Sequence, residues 1–228
     1  MRELAEAFVI ALRLIFTGDA EVYQVTLRTL LISCTSTAIG MVLFLPLGSL
    51  IHICQFPGKR LLVTMIRALY SIPTVFVGLL VFVFLSRAGP LGGLGLLFTP
   101  TAIVIGEVVL IAPVMVGLTI SALGGVSDDI RDTAVSLGAT RTQTMVTIAW
   151  EARAGLATSV LMGFGRAVSE VGVALMVGGN IRGFTRTLTS TMSLETSMGN
   201  IEFSMALGLV LMTLAFTVSV VAYRLQRR

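Results

Sequence analysis

The feature that most restricts this chain is a succession of long apolar stretches, at residues 25–53, 61–86, 98–121, 154–177 and 203–223, separated by short polar gaps. Each is long enough to cross a hydrocarbon core of about 30 Å as a helix. In such a core no water satisfies backbone N–H and C=O groups, so a spanning segment must bond internally, and runs of this length do so as α-helices. Composition agrees. Apolar residues make up 55% of the 228 and charged residues 12%, and mean hydropathy is +0.96, whereas a soluble domain carries about a quarter charged residues. The expectation is an all-α integral membrane protein with five spans in a single domain, 1–228, and no room for a separate soluble domain.

Around the spans, local signals set the boundaries. Residues 2–16 place Leu4, Phe8, Ala11 and Ile15 on one helical face and Glu3, Glu6 and Arg13 on another, which predicts a short amphipathic helix lying in the membrane interface. Early acidic residues and the lack of a small-residue cleavage site argue against a removed signal peptide. Gly18 stops this helix and Asp19 is placed to cap the next. Pro46, beside Gly40 and Gly48, predicts a bend in the first span; Pro73 falls inside the second, and Glu107 and Pro113 inside the third. RAGPLGGLG at 87–95 holds too much glycine and proline for helix. The Ser/Thr-rich stretch 178–202 reads as an outward polar link, and whether 188–198 dips back as a short helix stays open. Cys34 and Cys54 would lie about 30 Å apart on one helix, too far for a disulfide. His52 has no second ligand beside it, so no metal site is expected.

The charges order the spans. Lys59 and Arg60, then Arg131, Arg141 and Arg153, then Arg224, Arg227 and Arg228 fall on one side of a five-span chain. The excess of Lys and Arg on cytoplasmic loops makes that side cytoplasmic. The amino terminus is then outside and the carboxyl terminus inside. The net charge of +4 sits at span ends, which points to topology and not to nucleic acid.

Within the loop 122–153, Ser127 to Glu151 is the longest polar interruption. Ser127 suits an N-cap, and Asp128 and Asp129 occupy the first turn, where the helix dipole favours negative charge. Ile130, Ala134 and Leu137 make a small apolar stripe. Gly138 suits the left-handed position that ends a helix, and Thr140 with Gln143 forms a capping box that starts another. The result is a two-helix knob on the cytoplasmic side. An apolar stripe with no soluble domain to pack on needs a partner surface.

Other chemistry is absent. No phosphate-binding glycine loop ending in Lys-Ser/Thr occurs, no zinc-protease pair of histidines, and one histidine cannot serve a Ser-His-acid triad; the chain is not expected to be an enzyme. Three ionisable residues fall within predicted spans: Glu107, Arg166 and Glu170. Such residues are costly in lipid and default to function. Arg166 and Glu170 are spaced to pair at i, i+4, or to stand beside a pore with Arg166 offering charge to an anion. Gly155, Ser159, Gly163 and Ala167 form a small-residue stripe that lets helices approach closely, read as packing within one subunit.

Three stretches carry a family resemblance. Asp132-Thr133-Ala134, Gly138 and Ile148 are similar to the E-A-A-x3-G-x9-I-x-L-P loop of ABC importer permeases, with Asp132 for Glu, Thr133 for the first Ala and Trp150-Glu151 for the closing Leu-Pro. SIPTVFVGLLVFVFLSRAGPLGGLGLLFTPTAIVIGE at 71–107 and GRAVSEVGVALMVGGNIRGFTRTLTSTMSLETSMGN at 165–200 resemble molybdate and tungstate permeases, and TGDAEVYQVTLRTLLIS points to the tungstate branch. The resemblance implies the type I importer permease fold. It implies a homodimer in the cytoplasmic membrane of a bacterium or archaeon, driven by two ATPase subunits and fed by an extracytoplasmic oxyanion-binding protein. ATP and Mg would be held by the ATPases, with no cofactor on this chain. It implies that Asp128, Asp129, Asp132, Ala134, Leu137, Gly138, Ala139, Thr140 and Arg141 meet the ATPase. Ser169, Glu170, Gly172, Asn180, Thr185 and Thr187, with Glu107 and Arg166, would belong to the path or its gate. The alternatives are a molybdate or sulfate permease, or a transporter or channel working alone.

Overall fold

The central helix of the bundle is α5, Pro100–Gly124. In the computed structural model, which describes residues 2–226 and the side chains of 8–225, it packs against the helices at 20–53, 59–68, 74–85, 153–168 and 172–178. The side chains of Glu3, Leu4 and Glu6, and Arg227 and Arg228 altogether, lie outside the described residues. The order is α1 (Arg2–Phe16), α2 (Ala20–Ile53), α3 (Lys59–Ala68), α4 (Thr74–Leu85), α5, α6 (Asp128–Ser136), α7 (Arg141–Glu151), α8 (Arg153–Val168), α9 (Gly172–Gly178), α10 (Leu188–Ser197) and α11 (Ile201–Gln226), with no strand among the described residues.

Three helices, α2, α5 and α11, are long and apolar enough to cross a membrane unaided. The other two expected spans are broken. The stretch 61–86 is not one helix: Lys59–Ser71 meets Thr74–Leu85 at 99°. Pro73 has no N–H to continue the ladder, and it drives Ile72 into extended backbone, with ψ 134°. The stretch 154–177 bends by 58° between α8 and α9. Here no proline acts. Ser169 Oγ donates to Gly165 O at 2.8 Å, and the Glu170 carboxylate accepts from Val173 N at 3.0 Å, capping a new helix. Side chains that bond the local backbone offer it an alternative to the helical ladder. Pro46, by contrast, lies inside α2 without ending it, and α2 starts at Ala20, where Asp19 accepts from the N–H groups of Glu21 and Val22.

Close packing on α5 depends on missing side chains. A Cβ at Gly40 of α2 would lie 2.9 Å from Ile111 and Met115, and one at Gly48 2.8 Å from Thr119. From the other side, a Cβ at Gly155 would meet Ala122 at 2.7 Å and one at Gly163 would meet Met115 at 2.9 Å, while Ser159 is fully buried against Thr119. The small-residue stripe of α8 therefore seats α8 on α5 within one chain.

The segment 178–202 is not a plain outward link. Residues 188–197 form α10, which packs on α11 and α2 and buries Leu188, Thr189, Ser190, Thr191 and Glu195. The hydroxyls of Thr189, Ser190 and Thr191 are spent inside the protein, while Ser193, Thr196 and Ser197 are exposed. Helix α1 lies along α11 with Ala11 buried, while Phe8, Val9, Ile10 and Phe16 face outward.

Candidate functional site

The knob forms as its caps predict. Ser127 accepts from Asp129 N, Gly138 takes φ +81°, and Thr140 and Gln143 complete a capping box. Helices α6 and α7 pack mainly on each other, and α7 meets α8, so the hairpin projects from the helix bundle. Several of its apolar residues stay uncovered, Leu137 at 82% exposed and Trp150 at 70%, while Ile130 and Ala134 are half-buried. Ile130, Thr133, Ala134, Leu137, Ala139 and Thr147 line an open cleft of about 450 Å³. Asp128, Asp129, Asp132 and Arg141 are exposed around it and form no ion pair among the described residues.

The two helix breaks lie against each other. A Cβ on Gly172, the first residue of α9, would stand 2.8 Å from the Thr74 hydroxyl and 2.9 Å from Val75 N, at the start of α4. Gly78 of α4 lies against Val173 and the Gly172 carbonyl in the same way. The irregular backbone at 72–74 and 169–172 thus meets at one crossing. Ser169 is exposed there, and Glu170 is buried, with its carbonyl accepting from Thr189 Oγ1. Arg166 is half-buried and, among the described residues, forms no ion pair with Glu170. The expected i, i+4 pair fails because α8 ends at Val168 and Glu170 turns to cap α9. Glu107 is 2% exposed on α5 and faces Ser33 and Ser36 of α2, with Glu170 nearby; its Oε2 has no hydrogen-bond partner among the described residues. Sequence reasoning missed Thr74, Val75 and Gly78. Pro73 was the available signal, since a half-helix starts at the residue after it.

The remaining predicted path residues hold a turn between α9 and α10. Thr185 is fully buried; its hydroxyl donates to Gly178 O and accepts from Ile181 N. Asn180, at φ +50°, donates to Ser190 O and accepts from Ser190 Oγ. Thr187 caps α10. Charge ties the turn to α2: Arg182 and Arg186 pair with Glu21, Arg186 also pairs with Glu195, and Arg28 donates to Gly183 O at 2.8 Å. The hydrogen bond and charge of Glu21 raise the Arg182 guanidinium above its usual range.

A bundle around one hub helix, two broken spans crossing at their breaks and a projecting two-helix knob define a membrane transport subunit. The chain belongs to the family described as binding-protein-dependent transport system inner membrane component, which matches residues 44–228. It is 40% identical over 226 residues to the tungstate uptake system permease protein TupB of Peptoclostridium acidaminophilum, covering 99% of each chain. Its fold is similar to that of the MetNI methionine ABC transporter in inward-facing form, with TM-score 0.73 and 19% identity over 91% of this chain and 95% of that one. A bacterial alginate ABC transporter, solved in complex with its alginate-bound periplasmic protein, gives TM-score 0.69 and 17% identity over 93% and 80%. The fold is that of a type I ABC importer permease, and the chain is an inner-membrane protein.

Proposed function

We propose that this chain is the permease subunit of an ATP-driven importer of tungstate, working as a homodimer by alternating access. Near-complete coverage at 40% identity by a tungstate permease supports the substrate. The observation that carries the mechanism is the knob: a capped hairpin whose Leu137, Val146 and Trp150 stay uncovered among the described residues. Asp128, Asp129, Asp132, Ala134, Leu137, Gly138, Ala139, Thr140 and Arg141 dock on an ATPase subunit, one for each copy of the permease. ATP and Mg are bound there and not on this chain. The amino terminus is outside, the carboxyl terminus cytoplasmic, and an extracytoplasmic binding protein delivers the oxyanion.

The crossing of the two breaks is the gate. Irregular backbone at membrane depth persists only where protein buries it or where it lines a water-filled path. Two such stretches in contact are the part of the bundle least constrained by a continuous hydrogen-bond ladder. Arg166 supplies positive charge to the passing oxyanion, a match of guanidinium to oxyanion. Ser169, Glu170 and Gly172 shape the break, and Glu107 stands where α5 meets α2. Asn180, Thr185 and Thr187 act from behind, by holding the outward turn.

The test is co-purification with the ATPase subunit, then ATP hydrolysis in vesicles with the binding protein loaded with tungstate, molybdate or sulfate. Tungstate stimulates hydrolysis and uptake at the lowest concentration. Uptake by the lone chain without ATP, or stimulation by molybdate or sulfate in preference to tungstate, would overturn the reading.

A further inference from the structure

The contact between α2 and α5 holds two buried oxygens with no hydrogen-bond partner. On the buried face of α2, Thr29, Ser36 and Thr37 each donate to the carbonyl one turn back, at 2.8, 2.9 and 2.7 Å. Ser33, fully buried among them, breaks the pattern: its Oγ has no partner among the described residues. Opposite it on α5, Glu107 is 2% exposed, and its Oε2 is unpartnered too. Ser33 and Ser36 face the Glu107 carboxyl, with Glu170 nearby. Two orphaned polar atoms in one buried cluster are rare in a native interior, and an ion or water between them is the usual reason.

We propose that Ser33, Ser36 and Glu107 bind a monovalent cation, a sodium ion or a proton, where α2 meets α5. The donor set is oxygen only, carboxyl and hydroxyl, which is what a hard cation takes. An oxyanion would meet two carboxylates and be repelled. A water molecule alone would bridge the oxygens but leave the buried charge bare, and that is costly. A divalent ion would draw on more carboxylates, whereas no group of three His, Cys, Asp or Glu converges among the described residues. No cation of the protein does the work instead. Glu21 and Arg28 are engaged at the turn 181–186, and Arg166 forms no ion pair among the described residues. His52, Lys59, Arg67 and Tyr70 gather around Gly117 to Gly124, about 15 Å or more further along α5 (107 to 117). Cys34, Arg60 and Arg153 are exposed. The site deepens the gate reading above, since Glu170 beside it caps α9 at the crossing; ion binding itself does not depend on that reading.

The experiment uses the whole permease–ATPase complex in nanodiscs, with sodium chloride and pH as the two probes. The thermal unfolding midpoint is followed as sodium replaces N-methylglucamine at constant ionic strength, and separately as pH falls at fixed sodium. A sodium site raises the midpoint saturably with sodium, by mass action on the folded state. A proton site raises it as pH falls, because the folded chain then binds a proton that the unfolded chain does not, and sodium has no effect. Glu107→Gln keeps the shape, removes the charge and abolishes the response in whichever arm shows it. Ser33→Ala removes one oxygen and no charge, and it raises the half-maximal ion concentration about tenfold; it carries the test alone if E107Q does not assemble. A parent that responds to neither probe, or variants that respond as the parent does, would sink the proposal. Loss of the response in E107Q with uptake at the parental rate would keep the ion site and remove its link to the gate.

Discussion

Gly172 lies so close to Thr74 that a Cβ on the glycine would sit 2.8 Å from the threonine hydroxyl. That contact joins the first turn of α9 to the first turn of α4, and it brings two helix breaks, 97 residues apart in the chain (72 to 169), to one place. Gly172→Val forces these turns apart. The expected result is a stability loss of about 1–3 kcal/mol, typical of overpacking, with tungstate uptake falling further than the amount of folded protein. Uptake per folded complex in vesicles is the measurement, and parental uptake would remove the crossing from the mechanism.

At Gly138 a Cβ would meet no atom within 4 Å, yet φ is +81°. Gly138→Leu therefore strains backbone and does not clash within the chain, at about 1–2 kcal/mol. The protein still inserts, but uptake and ATPase coupling are lost. Gly138→Asn, which tolerates the left-handed region better, retains more coupling. Membrane insertion assays and ATPase co-purification separate the two.

Leu137 stands 82% exposed at the tip of α6. Leu137→Asp leaves the thermal stability of the permease within experimental spread, because so exposed a side chain has little packing to lose. It weakens ATPase binding by about 2 kcal/mol, roughly thirtyfold, as expected of a residue near the centre of an interface. Titration of purified ATPase against the permease in detergent reads this out.

Gly163 meets Met115 across α8 and α5, with 2.9 Å left for a Cβ. Gly163→Leu cannot be absorbed by Met115 alone, since Ile111 and Ala167 fill the same cluster. A loss of about 1–3 kcal/mol is expected, seen as a lowered midpoint in thermal unfolding. A smaller residue at Met115 in the same chain restores part of it.

Arg28 anchors the outward turn by its bond to Gly183 O. Arg28→Ala removes a charged hydrogen bond of about 1.5–3 kcal/mol. Hydrogen exchange of the amides at 181–187 speeds up while that of α5 is unchanged.

The knob was legible residue by residue, because caps are local. Ser127, Gly138, Thr140 and Gln143 each act within four residues of their own position. The spans were legible as apolar length, and α2, α5 and α11 form much as their composition dictates. The break at Pro73 had a signal in the missing N–H, although hydropathy alone ran through it. The break at Ser169–Val171 had a fainter one, because Ser and Glu end a helix only when their side chains turn to the backbone, and Arg166 offered a competing partner for Glu170. Asn180, Thr185 and Thr187 are expected at the path on the family resemblance. Nothing in the local sequence shows that Gly178 O, Ile181 N and Ser190 already occupy them.

By itself, then, the sequence determined a helical membrane chain with a capped two-helix hairpin, since apolar run length and capping are properties of neighbouring residues. Only tertiary structure decided that Gly172 meets Thr74, that α8 seats its small stripe on α5, and that Arg28 and Glu21 hold a turn more than 150 residues away. These depend on which helices lie side by side, as where the glycines of α2 and α8 seat on Ile111, Met115, Thr119 and Ala122 of α5.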